Sequence, residues 1–229
     1  MATKINNLIA AVQKKVIRIL FYPREFLWRT ITKAVTVREG IIVYNPVLKF
    51  PNSNNRKIYN LMLSLRKEQR QLQTDFELFH LYILLNTTQK IPGDIAEVGV
   101  YKGGSAKLIC ETTKKRVHLF DTFEGLPESD RRDLPVKSTR GDFACTYDDV
   151  KNYLRKYKNV SIYKGLFPSS SKSIKNKKFS LVHLDVDLYE STLKSLEFFY
   201  TRMSKGGIIV CHDYGGLLGG SGGLRGLSC

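Results

Sequence analysis

Apolar side chains return at helical spacing near the start of the chain, where Leu8, Ile9, Val12, Val16, Ile19 and Leu20 fall on one stripe. Lys14, Lys15, Arg18, Arg24 and Arg29 punctuate that stretch, so it never reaches the roughly 20 uninterrupted apolar residues of a membrane span. Charge throughout and the lack of a small-residue cleavage site also argue against a signal peptide. A polar break, "PNSNNRK", closes a basic amphipathic helical extension over residues 1–57. A second helical stretch is expected from about Lys57 to Asn86, as a lead-in reaching about residue 90; it ends before "QKIPGD", where Pro92 and Gly93 mark a turn.

From Asp94 the period changes. "DIAEVGV", "RVHLFDTF", "VSIYKG", "FSLVHLDVD" and "GGIIVCHDY" read as strands, and "GGSAKLICETTKK", "YDDVKNYLRKY" and "STLKSLEFFYTRM" as the helices between them. Short apolar strands alternating with helices predict a mainly parallel sheet covered on both faces. The expected fold is therefore α/β, doubly wound and Rossmann-like, over residues 58–215, with sites at the carboxyl ends of the strands. Gly216, Gly219, Gly220, Gly222 and Gly223 crowd the segment 216–229, which is expected to be disordered because glycine loses most backbone freedom on ordering. The strand ending at Cys211 is then expected to form an open edge of a truncated sheet, which invites pairing with another chain.

Hydrophobic residues make up 42% of the 229 and aromatic residues 11%, which excludes a disordered chain. The four cysteines show no C-x-x-C spacing, so reduced thiols and a cytoplasmic protein are expected. The formal charge of +16 is concentrated in the first 60 residues and in "KSIKNKKFS". It keeps three partner classes open: nucleic acid, an anionic lipid surface and acidic small molecules. The N-terminal stripe with its lysines and arginines suits an interfacial helix, and equally a helix docked on the protein's own core or on a partner subunit.

Two features carry chemistry. The turn "EVGVYKGGSA" follows the first strand of the α/β pattern, where such folds bind nucleotide-like ligands, but it is not G-x-G-x-x-G. Gly99, Gly103 and Gly104 permit close backbone approach. Glu97 would repel a pyrophosphate and welcome a cation such as the sulfonium and amine of S-adenosylmethionine. Asp121, at the end of the next strand, can take both hydroxyls of a ribose. The turn residues Glu97, Gly99, Tyr101, Gly103, Gly104 and Ser105, with Asp121, Thr122 and Phe123, form the expected cofactor-binding set. The second feature is the pair Asp185 and Asp187, one residue apart and expected on one face of a strand end. Two such carboxylates repel unless a cation lies between them; the alternative is that they cap the following helix.

"PGDIAEVGVYKGGSA", "HLFDTFEGLP", "GDFACTYDDV", "IYKGLFP", "LVHLDVDLYEST" and "GGIIVCHDYG", in this order, resemble the macrocin O-methyltransferase family of class I S-adenosylmethionine-dependent enzymes, over about Thr74 to Gly215. The resemblance implies a Rossmann-like fold and methyl transfer to a hydroxyl of a small molecule, often on a sugar of a natural product. It also implies a divalent cation, usually Mg²⁺, surrounded by acidic pairs that map onto Asp185, Asp187, His212 and Asp213. Mg²⁺ favours oxygen ligands, so Asp185, Asp187 and Asp213 are the expected metal ligands. Asp185 and His212 are the expected catalytic pair, with His212 as a base or a supporting group ahead of a ligand, and His183 is expected to be buried and satisfied. The sequence departs from the family pattern at His212, where an acid is usual, and in its glycine-rich tail. A nucleic-acid methyltransferase is disfavoured because no RNA- or DNA-recognition module is apparent. A homo-oligomer, peripheral membrane contact through the N-terminus, and a chain that binds cofactor with impaired turnover are further expectations.

Overall fold

The computed structural model describes residues 35–38, 41–44, 53–129, 133 and 140–212. The N-terminal apolar stripe, Asp213 and the glycine-rich tail lie outside them. The chain divides into two compact units between Tyr59 and Asn60. In the first unit, β1 (Val35–Arg38) and β2 (Ile41–Tyr44) pair antiparallel as a hairpin. A purely helical reading of residues 1–57 misses it, although "VTVR" and "IIVY" are rich in the β-branched residues that favour strands.

Two helices replace the single expected lead-in helix. Helix α1 (Ser53–Glu68) ends in a turn at Gln69, whose φ is +52°, and α2 (Asp75–Thr87) restarts after a short connection. The restart is local chemistry. Thr74 accepts from the Glu77 N–H while the Glu77 carboxylate accepts from the Thr74 N–H, a reciprocal capping box that satisfies backbone donors at the helix start.

Then come β3 (Asp94–Val98), α3 (Gly104–Thr112), β4 (Val117–Asp121), α4 (Tyr147–Leu154), β5 (Val160–Lys164), β6 (Phe179–Leu184), α5 (Tyr189–Tyr200) and β7 (Met203–Cys211). The five strands from β3 onward form one parallel sheet in the order β5-β4-β3-β6-β7. All six residues of β6 are buried, as a strand covered on both faces requires. Its two polar members therefore need partners. Ser180 receives a hydrogen bond from Lys115, and His183 is treated below. Phe120, Phe167, Phe179 and Phe199 pack ring to ring beneath one face of the sheet. Cys110 and Cys145 are free thiols. Among the described residues, no helix is long and apolar enough to cross a membrane.

Candidate active site

The chain winds from β3 through β4 to β5 in one direction, then from β6 to β7 in the other, so a crevice opens at the carboxyl ends of β3 and β6. A cavity of about 260 Å³ occupies it. The turn after β3 forms its floor. Gly99 has φ +85°, and a Cβ there would lie 1.8 Å from the carbonyl oxygen of Asp185, so only glycine lets this turn pass the end of β6. Asp121 ties the turn down: its Oδ2 accepts from the N–H groups of Val100 (2.7 Å) and Tyr101 (2.9 Å), and its Oδ1 from that of Phe123 (2.7 Å). Tyr101 and Phe123 themselves hold left-handed backbone conformations, φ +48° and +58°, which ordinary side chains adopt at a cost and which cluster at functional sites.

A second wall comes from outside the sheet. The connection between α1 and α2 lays Arg70, Gln71, Leu72 and Gln73 along the cavity. Arg70 anchors it through a bidentate pair with Asp149, at 2.7 and 2.9 Å, and through the Lys102 carbonyl. The Arg70 carbonyl in turn accepts from the Gly104 N–H at 3.1 Å. At Gly104 a Cβ would come within 2.6 Å of the Gln71 Cβ and 2.7 Å of the Arg70 oxygen, so this glycine makes room for the connection itself.

Strand β6 stops at Leu184, and Asp185 and Asp187 stand in the turn beyond it rather than on the strand, with Asp187 at φ +58°. Strand alternation therefore does not govern them, yet both line the cavity. Neither holds the cap position of α5, which is Leu188, and the Tyr189 N–H is taken by Asp133 at 2.7 Å. Asp185 receives hydrogen bonds on both oxygens: His212 Nδ1 at 3.0 Å from Oδ1 and Gln73 Nε2 at 2.7 Å from Oδ2. Burial would raise its pKa, but the His212 bond and charge, with His183 and Gln73 behind them, hold it below the ordinary carboxylate value. The other nitrogen of His212 lies 3.5 Å from Glu77. Burial of Glu77 is likewise outweighed by His212 and by the Thr74 cap, and its pKa falls to about 2. His212 thus sits between two carboxylates, one on β6's exit and one on α2, an arrangement suited to orienting Asp185.

Of the residues expected to bind cofactor, Gly99, Tyr101, Ser105, Asp121 and Thr122 line the cavity, as do Asp185, Asp187 and His212. Gly103 and Gly104 shape the helix start behind it. Phe123 turns into the core against Tyr147, and Glu97 is fully buried with its Oε1 2.9 Å from His183 Nδ1. Burial pushes the Glu97 carboxyl up against the pull of that bond. Sequence reasoning missed Arg70, Gln71, Gln73 and Glu77; the "TDFE" capping box was the available signal that the chain breaks there.

A metal reading is weighed on donor chemistry. Among the described residues, no group of three His, Cys, Asp or Glu side chains converges as a metal site. Asp185 and Asp187 nevertheless set two carboxylates on the cavity wall, and hard cations favour oxygen donors of this kind.

Comparison with known proteins agrees with this layout. The macrocin O-methyltransferase (TylF) family profile matches residues 73–221. The chain is 30% identical over 140 residues to the 8-demethyl-8-(2,3-dimethoxy-alpha-L-rhamnosyl)-tetracenomycin-C 4'-O-methyltransferase of Streptomyces olivaceus, covering 54% of each. It is 26% identical over 140 residues to the demethyldecarbamoylnovobiocin O-methyltransferase of Streptomyces niveus, covering 54% of this chain and 53% of that one. It spans about half the length of these curated relatives. Among solved structures it shares its fold with the calicheamicin methyltransferase CalS11, at TM-score 0.55, 21% identity and 72% coverage of both chains. The O-methyltransferase NovP superposes at TM-score 0.53, 22% identity, and coverage of 63% of this chain and 67% of that one. With the profile spanning more than half of the sequence, the chain belongs to the macrocin O-methyltransferase family.

Proposed function

We propose that this chain transfers a methyl group from S-adenosylmethionine to a hydroxyl of a small molecule, with a sugar of a glycosylated natural product as the acceptor class. The observation that carries the reading is the meeting of three features on one cavity: the glycine turn, Asp121 and the Asp185/Asp187 turn. Family membership supports the chemistry, and the rhamnosyl substrate in the name of the Streptomyces olivaceus relative supports the acceptor class.

Asp121 holds the turn through three backbone N–H groups, which leaves about one acceptor site, on Oδ1, for a ribose hydroxyl. The reaction is an in-line displacement in which the acceptor oxygen bonds to the methyl carbon as the carbon–sulfur bond breaks. S-adenosylhomocysteine leaves as a neutral thioether, and the hydroxyl proton passes to a carboxylate. Asp187, on the cavity wall, is assigned the proton, and Asp185, held by His212 at 3.0 Å and Gln73 at 2.7 Å, the orienting role together with His212. Alignment by these walls contributes much of the rate, in principle up to about 7–11 kcal/mol. Asp185, Asp187 and Asp213 would hold a cation such as Mg²⁺, which when bound supplies charge that eases ionisation of the acceptor hydroxyl.

Calorimetric titration with S-adenosylhomocysteine tests the reading. Asp121→Ala is expected to lower affinity about tenfold or more, since charge-assisted hydrogen bonds to the turn are lost. No binding by the parent chain, or equal affinity in the variant, overturns it.

A further inference from the structure

Gln73 bridges Asp185 and His183 at the edge of the site. It stands on the connection from α1 to α2, outside the sheet, and is 7% exposed. Its Nε2 lies 2.7 Å from Asp185 Oδ2 and 3.4 Å from His183 Nε2. A primary amide carries two hydrogens on that one nitrogen and none on its oxygen, whereas an ionised carboxylate only accepts. The Asp185 contact therefore fixes which end of the amide faces inward. The same nitrogen faces His183 Nε2, and His183 Nδ1 lies 2.9 Å from Glu97 Oε1. Glu at position 73 would set acceptor against acceptor, and an apolar side chain would take this donor from Asp185, which is costly.

From this geometry we infer that Gln73 is a positioning residue of the methyl-transfer site. It fixes the plane of the Asp185 carboxylate opposite His212. The inference rests on the proposed function only in giving Asp185 an orienting role in transfer; the hydrogen-bond arrangement is independent of it. It ties the cavity wall contributed by the connection to the floor contributed by β6, because one side chain belongs to the wall and bonds to the floor.

The test compares the full chain with Gln73→Met, a variant of similar length without a donor. The initial rate of labelled-methyl transfer from S-adenosylmethionine into a deproteinised extract of the source cells is expected to fall about tenfold in the variant, the loss typical of one hydrogen bond to a charged group. The apparent KM for S-adenosylmethionine and the affinity for S-adenosylhomocysteine should stay unchanged, because the lost contact orients and does not bind. An unchanged rate overturns the inference, as does a loss of S-adenosylhomocysteine affinity in step with the rate. Failure of the parent to bind S-adenosylhomocysteine overturns the proposed function, and the inference with it.

Discussion

Gly104→Ala separates two accounts of how the cavity gains its outer wall. At an ordinary helical glycine, alanine stabilises by roughly 0.5–1 kcal/mol, and by less in a first turn, because it restricts the unfolded chain. Gly104 opens α3 and has no left-handed φ to protect. If the α1–α2 connection were not seated there, the substitution would be neutral or favourable. In the structure the new Cβ would meet the Gln71 Cβ at 2.6 Å and the Arg70 carbonyl oxygen at 2.7 Å. The Arg70 oxygen is backbone and also accepts the Gly104 N–H at 3.1 Å, so relief requires the connection to lift. Losing that bond costs about 0.5–1.5 kcal/mol, and forcing a methyl into a packed contact costs about 1–3 kcal/mol. Set against the alanine gain, the net expectation is a destabilisation of about 0.5–4 kcal/mol. For a chain of this size, the middle of that range lowers the melting temperature by about 4–8 °C. Scanning calorimetry reads it directly. A variant as stable as the parent, or more stable, would refute the seating of this connection on α3.

Glu77, with its pKa lowered from 4.5 to about 2 by His212 and the Thr74 cap, contributes stability that is present above pH 4.5 and lost as pH falls towards 2. The melting-temperature gap between the parent and Glu77→Gln should therefore close across that window; a gap that is flat with pH would show that the carboxylate charge is immaterial. Chelation with EDTA is expected to abolish methyl transfer with restoration by Mg²⁺, and Asp185→Asn or Asp213→Asn to abolish it while S-adenosylhomocysteine still binds. Full activity in EDTA refutes the cation.

The strand and helix alternation after Asp94 was legible because each β-segment is a short, nearly continuous apolar run bounded by punctuation, as in "FSLVHL" and "DIAEV". Parallel strands buried on both faces leave no other reading of such runs. The turn residues were legible for a similar reason: Gly99 stands where a Cβ would lie 1.8 Å from the Asp185 carbonyl oxygen, and only one amino acid allows it. The β1–β2 hairpin and the break between α1 and α2 were harder, since a few β-branched residues and one capping box compete with a longer helical periodicity.

Glu97 and Gln73 show why the rest could not be read. Nothing local announces that the Glu97 carboxylate is buried beneath the turn; β6, far along the chain, brings His183 against it. Gln73 lies 110 residues from His183 and 112 from Asp185, so its role exists only once the sheet has formed and the connection has settled over it. The sequence pattern located the acids, because strand ends and glycine turns are local. The groups that set their protonation and direction are neutral, polar and distant, and their assignment depends on donor and acceptor counting in three dimensions. A family profile anchored in strand-end motifs therefore identifies the chemistry better than it identifies the residues that tune it. Whether a lead-in connection supplies a donor such as Gln73, or leaves Asp185 held by one histidine, is a difference to be sought in the wall of the site and not in its motifs.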